Sequence, residues 1–171
     1  GGAAITAGDG GTAPGGAAPG GGPATGSGKA VVFVGGFGTD PLRSYDLDIA
    51  SGALSERMPR VDAGPEPSCL TLDPSRKHLY VCNEDDSAAG GVTSFVFEPN
   101  GALAPLNHQS GADGGFTALS FSADGKWLAG AAYNGGSASV FAVGADGKVG
   151  AAAGTADFGA EAQTHYAAFD P

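Results

Sequence analysis

The chain has 171 residues and a formal charge of −10, from 8 basic and 18 acidic side chains. That balance argues against a surface that neutralises DNA or RNA phosphates, and it leaves no basic stripe for an anionic membrane. No run of 18 apolar residues is present to form a transmembrane helix.

Residues 1–28 are Gly, Ala or Pro at 22 of 28 positions, with Ile5 the single large apolar residue. Such a segment buries too little surface to offset its ordering entropy, so it reads as a disordered tether. The sequence opens on GGAAITAGDGG, which does not read as the basic n-region and apolar h-region of a signal peptide. Tethers of this composition often follow a removed export or lipoprotein signal. GSGK (26–29) resembles a phosphate loop only faintly. Pro23 stands where the first glycine is needed, Ala30 replaces Ser/Thr, and a strand pattern follows instead of a helix.

From Lys29 onward the sequence repeats. PSCLTLDPSRKHLYVCNE (67–84) aligns with FTALSFSADGKWLAGAAY (116–133) at an offset of 49, and YAAFDP (166–171) begins a third copy. Gly52, Gly101 and Gly147 fall in register within SGAL, NGAL and DGKV. Each copy alternates apolar and polar residues over short runs, with Gly, Pro, Asp and Asn between them. One unit reads as four strands: SCLTLD (68–73), HLYVCN (78–83), GVTSFVFE (91–98) and a fourth near 102–109. We call them a to d.

Four short antiparallel strands at this period describe a β-propeller blade, so the fold class is all-β. A two-sheet sandwich is the alternative, but it does not require the same turn chemistry at a fixed interval. Residues 29–62 supply strands b, c and d of an incomplete blade. Residues 67–110 and 116–156 each form a blade, and 164–171 supply one further strand a. The expectation is about 2.75 blades at the front of a longer propeller.

Around the a–b turn, facing residues sum to 151. Cys69 therefore faces Cys82, and Leu70, Thr71 and Leu72 face Val81, Tyr80 and Leu79. A disulfide between directly opposed positions needs strained geometry. Two thiols are expected, with oxidation possible after export.

The ordered series Asn83-Glu84 then Gly90-Gly91-Val92, YNGGSASVF (133–141), and His165 before an FDP strand resembles the lactonase family of seven-bladed β-propellers. The resemblance covers about Val31 to Pro171. It implies hydrolysis of 6-phospho-D-glucono-1,5-lactone, with no metal or organic cofactor and a monomeric full-length protein. It implies a cytoplasmic location, whereas the tether suggests an exported or lipid-anchored protein. The same resemblance reaches cycloisomerases that close carboxymuconate to a muconolactone, and a non-catalytic exported scaffold is the third reading.

In a four-stranded blade the b–c and d–a connections share one rim of the ring. That phasing brings Asn83, Glu84, Tyr133, Asn134 and His165 to one side. Lactone opening needs a base for water and donors for the developing oxyanion. His165 is the candidate base, and Glu84 would orient it or bind sugar hydroxyls. Asn83, Tyr133 and Asn134 would donate to substrate oxygens. Arg43, at the b–c end of the first blade, is the candidate anion contact. His78 and His108 are read as structural and away from this rim. Two positions depart from the family pattern: Gln163-Thr164-His165 stands for His-x-His, and Ala131-Ala132-Tyr133 stands for Ala-Asn-Tyr.

Overall fold

A computed structural model describes residues 29–38, 41–111 and 114–170. The expected tether, the GSG of GSGK and Pro171 lie outside the described residues.

Eleven strands occupy the described residues: β1 (Lys29–Val34), β2 (Leu42–Asp48), β3 (Leu54–Val61), β4 (Pro67–Leu72), β5 (His78–Asn83), β6 (Gly91–Phe97), β7 (Leu103–Ser110), β8 (Phe116–Phe121), β9 (Trp127–Ala132), β10 (Ser137–Val143) and β11 (Val149–Asp157). They form three antiparallel meanders: β1-β2-β3, β4-β5-β6-β7 and β8-β9-β10-β11. This is one three-stranded blade followed by two four-stranded blades, the partial propeller read from the repeat.

The expected register of the a–b hairpin is present. Cys69 pairs with Cys82, Leu70 with Val81, Thr71 with Tyr80 and Leu72 with Leu79. One expectation on this hairpin is corrected: Cys69 and Cys82 form a disulfide rather than two thiols. Their Cα atoms are 5.0 Å apart, inside the range that a disulfide spans.

Alternation along the strands decides which face meets which blade. Leu42, Ala63, Leu79, Val81 and Phe95 form the core between blades 1 and 2, with Phe33 and Phe97 packed against it. Tyr80, Cys82, Val92, Phe116, Leu119, Leu128 and Phe141 form the core between blades 2 and 3. Cys69 packs against this second core, so the disulfide lies beside an interblade seam. The Phe116 and Phe141 rings cross it nearly perpendicular, with centroids 5.5 Å apart.

The repeated glycines explain the c–d turns. Gly52, Gly101 and Gly147 have φ of 75°, 78° and 81°, a region costly for a side chain. Gly147 also has the His78 ring against its α-carbon, leaving no room for a β-carbon. His78 is pinned from the other side by Asp73, whose Oδ1 accepts from the His78 and Lys77 backbone N–H groups. The structural reading of His78 fits these contacts.

The expected strand at 164–171 is a second correction. After β11 the chain makes a short 3-10 turn, Ala160–Ala162, and residues 164–170 form no strand. A strand a takes its ladder from strand b of its own blade, and the described residues contain no such partner. The segment instead lies against blade 3, where Ser120 Oγ donates to the Ala167 carbonyl at 2.6 Å.

Candidate functional site

The connections on the b–c and d–a rim are stitched together through backbone. Gly36 N–H donates to the Pro67 carbonyl at 2.9 Å, and Glu66 N–H to the Gly38 carbonyl at 3.0 Å. Glu84 N–H donates in turn to the Glu66 carbonyl at 3.0 Å, and Phe158 N–H to the Gly136 carbonyl at 3.0 Å. Gly115 passes so close to the backbone of Glu84 that no side chain fits there. The loops carrying Glu84, Tyr133 and His165 therefore lie on one rim, as the four-strand phasing requires.

Tyr133 and His165 meet directly. Their ring centroids are 4.8 Å apart, with the planes at 69°. Tyr133 is half-buried and His165 exposed. Among the described residues, no hydrogen bond or ion pair engages the His165 imidazole, the Tyr133 hydroxyl or the Glu84 carboxylate. A base, a phenolic donor and a carboxylate thus stand on the same rim with their polar ends available to a ligand. Glu84 is half-buried, and no direct bond joins it to His165.

Asn83 has a different role from the one expected. It is fully buried. Its Nδ2 donates to the Ala63 carbonyl at 2.6 Å and the Pro65 carbonyl at 2.9 Å, and its Oδ1 accepts from Thr93 Oγ1 at 2.6 Å. The amide is spent on clamping the 62–66 connection of blade 1 to blade 2. A buried amide must satisfy its donors, and here the backbone does so, which removes Asn83 from the groups that could hold substrate.

Asn134 is exposed, and its Nδ2 donates to both carboxylate oxygens of Asp86, at 2.8 and 2.9 Å. Asp86 was not singled out in the sequence, although its 48-residue separation from Asn134 is one short of the 49-residue blade repeat. Arg43 lies within β2 opposite Val34, not in the connection before it. Strand alternation puts it on the face of Tyr45, away from Leu42 and the blade 1–blade 2 core. There it borders a cavity of about 280 Å³ with Val34, Gly35, Gly36, Pro41 and Tyr45.

His108 is also corrected. It sits near the end of β7, where strand d runs into the d–a connection, and therefore belongs to the same rim rather than away from it. Its Nδ1 is 3.0 Å from Thr93 Oγ1. The orientation of the Asn83 amide is fixed by two carbonyls, so the single Thr93 proton goes to Asn83 Oδ1. Neutral His108 must then donate through Nδ1–H and keep its lone pair on Nε2. Burial holds its pKa below the ordinary histidine value. It lines a groove of about 320 Å³ with Asp62, Ala63, Gly64, Pro65, Ala89 and Thr93.

Among the described residues no helix is long and apolar enough to cross a membrane. The chain matches the model of a family described as "Lactonase, 7-bladed beta-propeller" over residues 30–171. A 6-phosphogluconolactonase of Serratia proteamaculans is 32% identical over 126 residues, covering 71% of this chain and 35% of that protein. Among solved structures, the periplasmic gluconolactonase PpgL of Pseudomonas aeruginosa superposes with a TM-score of 0.64 at 28% identity, over 75% of this chain and 38% of that one. A Bacteroides fragilis protein provisionally assigned as a 6-phosphogluconolactonase gives a TM-score of 0.67 at 27% identity, over 80% of this chain and 38% of its own. The chain spans little more than a third of the length of these relatives.

Proposed function

Because the chain belongs to the lactonase family of seven-bladed β-propellers, we propose that its protein hydrolyses a sugar lactone, with 6-phospho-D-glucono-1,5-lactone the first substrate to test. The observation that carries the reading is the Tyr133–His165 pair on the b–c and d–a rim, with both polar ends unengaged among the described residues.

The chemistry follows from those groups. Neutral His165 takes a proton from water as the hydroxide oxygen attacks the lactone carbonyl. Charge moves onto the carbonyl oxygen, where the Tyr133 hydroxyl donates a hydrogen bond that strengthens as the tetrahedral intermediate forms. Collapse breaks the ring C–O bond, and the protonated imidazole returns its proton to the departing alkoxide. Glu84 binds ring hydroxyls or steadies the imidazolium, and Arg43 contributes positive charge at the blade 1 end of the rim. No metal or organic cofactor has a part in this scheme, and the full-length protein acts as a monomer.

Gln163 favours a second reading. It stands where the family pattern has a histidine, and it caps the Ala160–Ala162 turn with φ 46°. A two-histidine mechanism has no second imidazole at that position, which supports a propeller that binds without catalysing. The Cys69–Cys82 disulfide supports export to an oxidising compartment.

The deciding experiment is stopped-flow hydrolysis of the lactone by the full-length protein against the spontaneous rate. Turnover above background supports the enzyme. Hydrolysis at the background rate with measurable binding supports the scaffold.

A further inference from the structure

We infer that Asp86 is a positioning residue that makes Asn134 a hydrogen-bond acceptor for a hydroxyl of the bound ring. The inference rests on the sugar-lactone reading and goes beyond it, because it says how hydroxylated rings are selected.

A carboxylate oxygen only accepts, so the Asn134 amide must turn its NH2 toward Asp86. The contacts at 2.8 and 2.9 Å use Nδ2. Asn134 Oδ1 is therefore directed away from Asp86. Without Asp86 the amide could flip and offer a donor at the same place.

The clamp is held from both sides. Asp86 lies on the 84–90 connection of blade 2, which is backed by Gly114 and Gly115. There Gly114 has φ 94°, and a β-carbon on it would lie 3.3 Å from the Asp86 α-carbon. Asp85 Oδ1 accepts from the Ser87 backbone N–H at 2.7 Å and closes the loop on itself. On the blade 3 side, Asn134 directly follows Tyr133, whose ring rests against His165. The Gly136 N–H to Tyr133 carbonyl bond, 3.2 Å, closes the turn that carries both residues. Asp86 thus fixes the amide of the residue that follows Tyr133, by a contact between two blades.

An acceptor at that position favours a hydroxyl donor and disfavours an unprotonated phosphate or carboxylate oxygen. Asn134 then reads the hydroxyl pattern of the sugar ring, while recognition of any anionic group falls to other residues.

The test compares D-glucono-1,5-lactone with δ-valerolactone, which has no ring hydroxyls, in the full-length wild type, Asp86→Ala and Asp86→Asn. Asp86→Ala lowers the kcat/KM preference for the hydroxylated lactone about tenfold, the worth of one hydrogen bond, with the change in KM rather than kcat. Asp86→Asn retains most of the preference, because its own Oδ1 still accepts from Asn134. An unchanged preference in Asp86→Ala, or equal losses on both lactones, overturns the proposal.

A second measurement separates this failure from that of the lactonase reading. In the wild type, the Asn134 side-chain amide protons show slowed solvent exchange by NMR, and Asp86→Ala abolishes that protection. If neither of these lactones nor 6-phospho-D-glucono-1,5-lactone is turned over above background, the lactonase reading falls. The Asp86 clamp is then judged by the amide protons alone, and unprotected protons in the wild type overturn it.

Discussion

The rings of Tyr133 and His165 meet edge to face, 4.8 Å between centroids, although one opens a b–c turn and the other follows the outer strand of the same blade. Such a pair favours this geometry because a positive ring edge meets a negative ring face. The contact sets the imidazole without using either of its nitrogens. Tyr133→Phe keeps the ring contact and removes the hydroxyl. It lowers kcat/KM for a sugar lactone about tenfold while leaving the His165 ring resonances in place by NMR. Displaced His165 resonances in that variant would show that the hydroxyl, not the ring, sets the imidazole.

Asn83 holds the first interblade seam. Asn83→Ala leaves the Ala63 and Pro65 carbonyls and the Thr93 hydroxyl without their partner inside the seam. The expected cost is about 2–3 kcal/mol in urea unfolding, because a buried group left unsatisfied loses more than the bond is worth. Activity per folded molecule stays near wild type. A loss of activity without a loss of stability would return Asn83 to the substrate-binding set.

His108 offers a test of protonation. The Asn83–Thr93–His108 chain requires the Nδ1–H tautomer, so long-range 15N NMR at neutral pH should show the proton on Nδ1 and the lone pair on Nε2. Burial lowers the folded pKa below the unfolded value, so the unfolded chain binds the proton more readily. The stability difference is absent above the unfolded pKa and grows as pH falls from there toward the folded pKa. His108→Gln should flatten that part of the stability–pH curve. A steeper dependence in the variant would mean that the shift has the opposite sign.

The Cys69–Cys82 disulfide closes a loop of sequence separation 13 against the second core. Protein denatured without reductant should yield no titratable thiol. Replacing both cysteines by alanine should cost about 3 kcal/mol by the loop-entropy account. Two free thiols in denatured, unreduced protein would restore the original expectation.

The fold was legible because blades repeat their turns. Gly52, Gly101 and Gly147 each meet the same left-handed requirement, and repetition makes such a requirement visible. The Cys69–Cys82 register followed from one turn and two alternating runs. Whether the sulfurs bond did not follow, because pairing sets which residues face and not their oxidation state. The site was half legible. Phasing brought Tyr133, Glu84 and His165 to one rim, but side-chain partners do not follow from phasing. Asn83 looked like a donor beside Glu84, and its burial under the 62–66 connection is a tertiary fact. Asp86 sat unnoticed in an acidic run, with only a spacing from Asn134 one short of the repeat to mark it. The strand expected at 164–171 failed because alternation shows what a segment can pair with, not whether a partner strand is beside it.

The most direct test of the account is the rate of sugar-lactone hydrolysis by full-length His165→Ala, with the spontaneous rate subtracted and folding checked by thermal unfolding. A positioned general base contributes on the order of 100-fold or more, so the variant should lose at least that factor in kcat. Its unfolding midpoint should hardly move, because His165 is exposed and outside both interblade cores. Wild-type turnover in a folded His165→Ala protein would contradict the account and remove His165 from the mechanism.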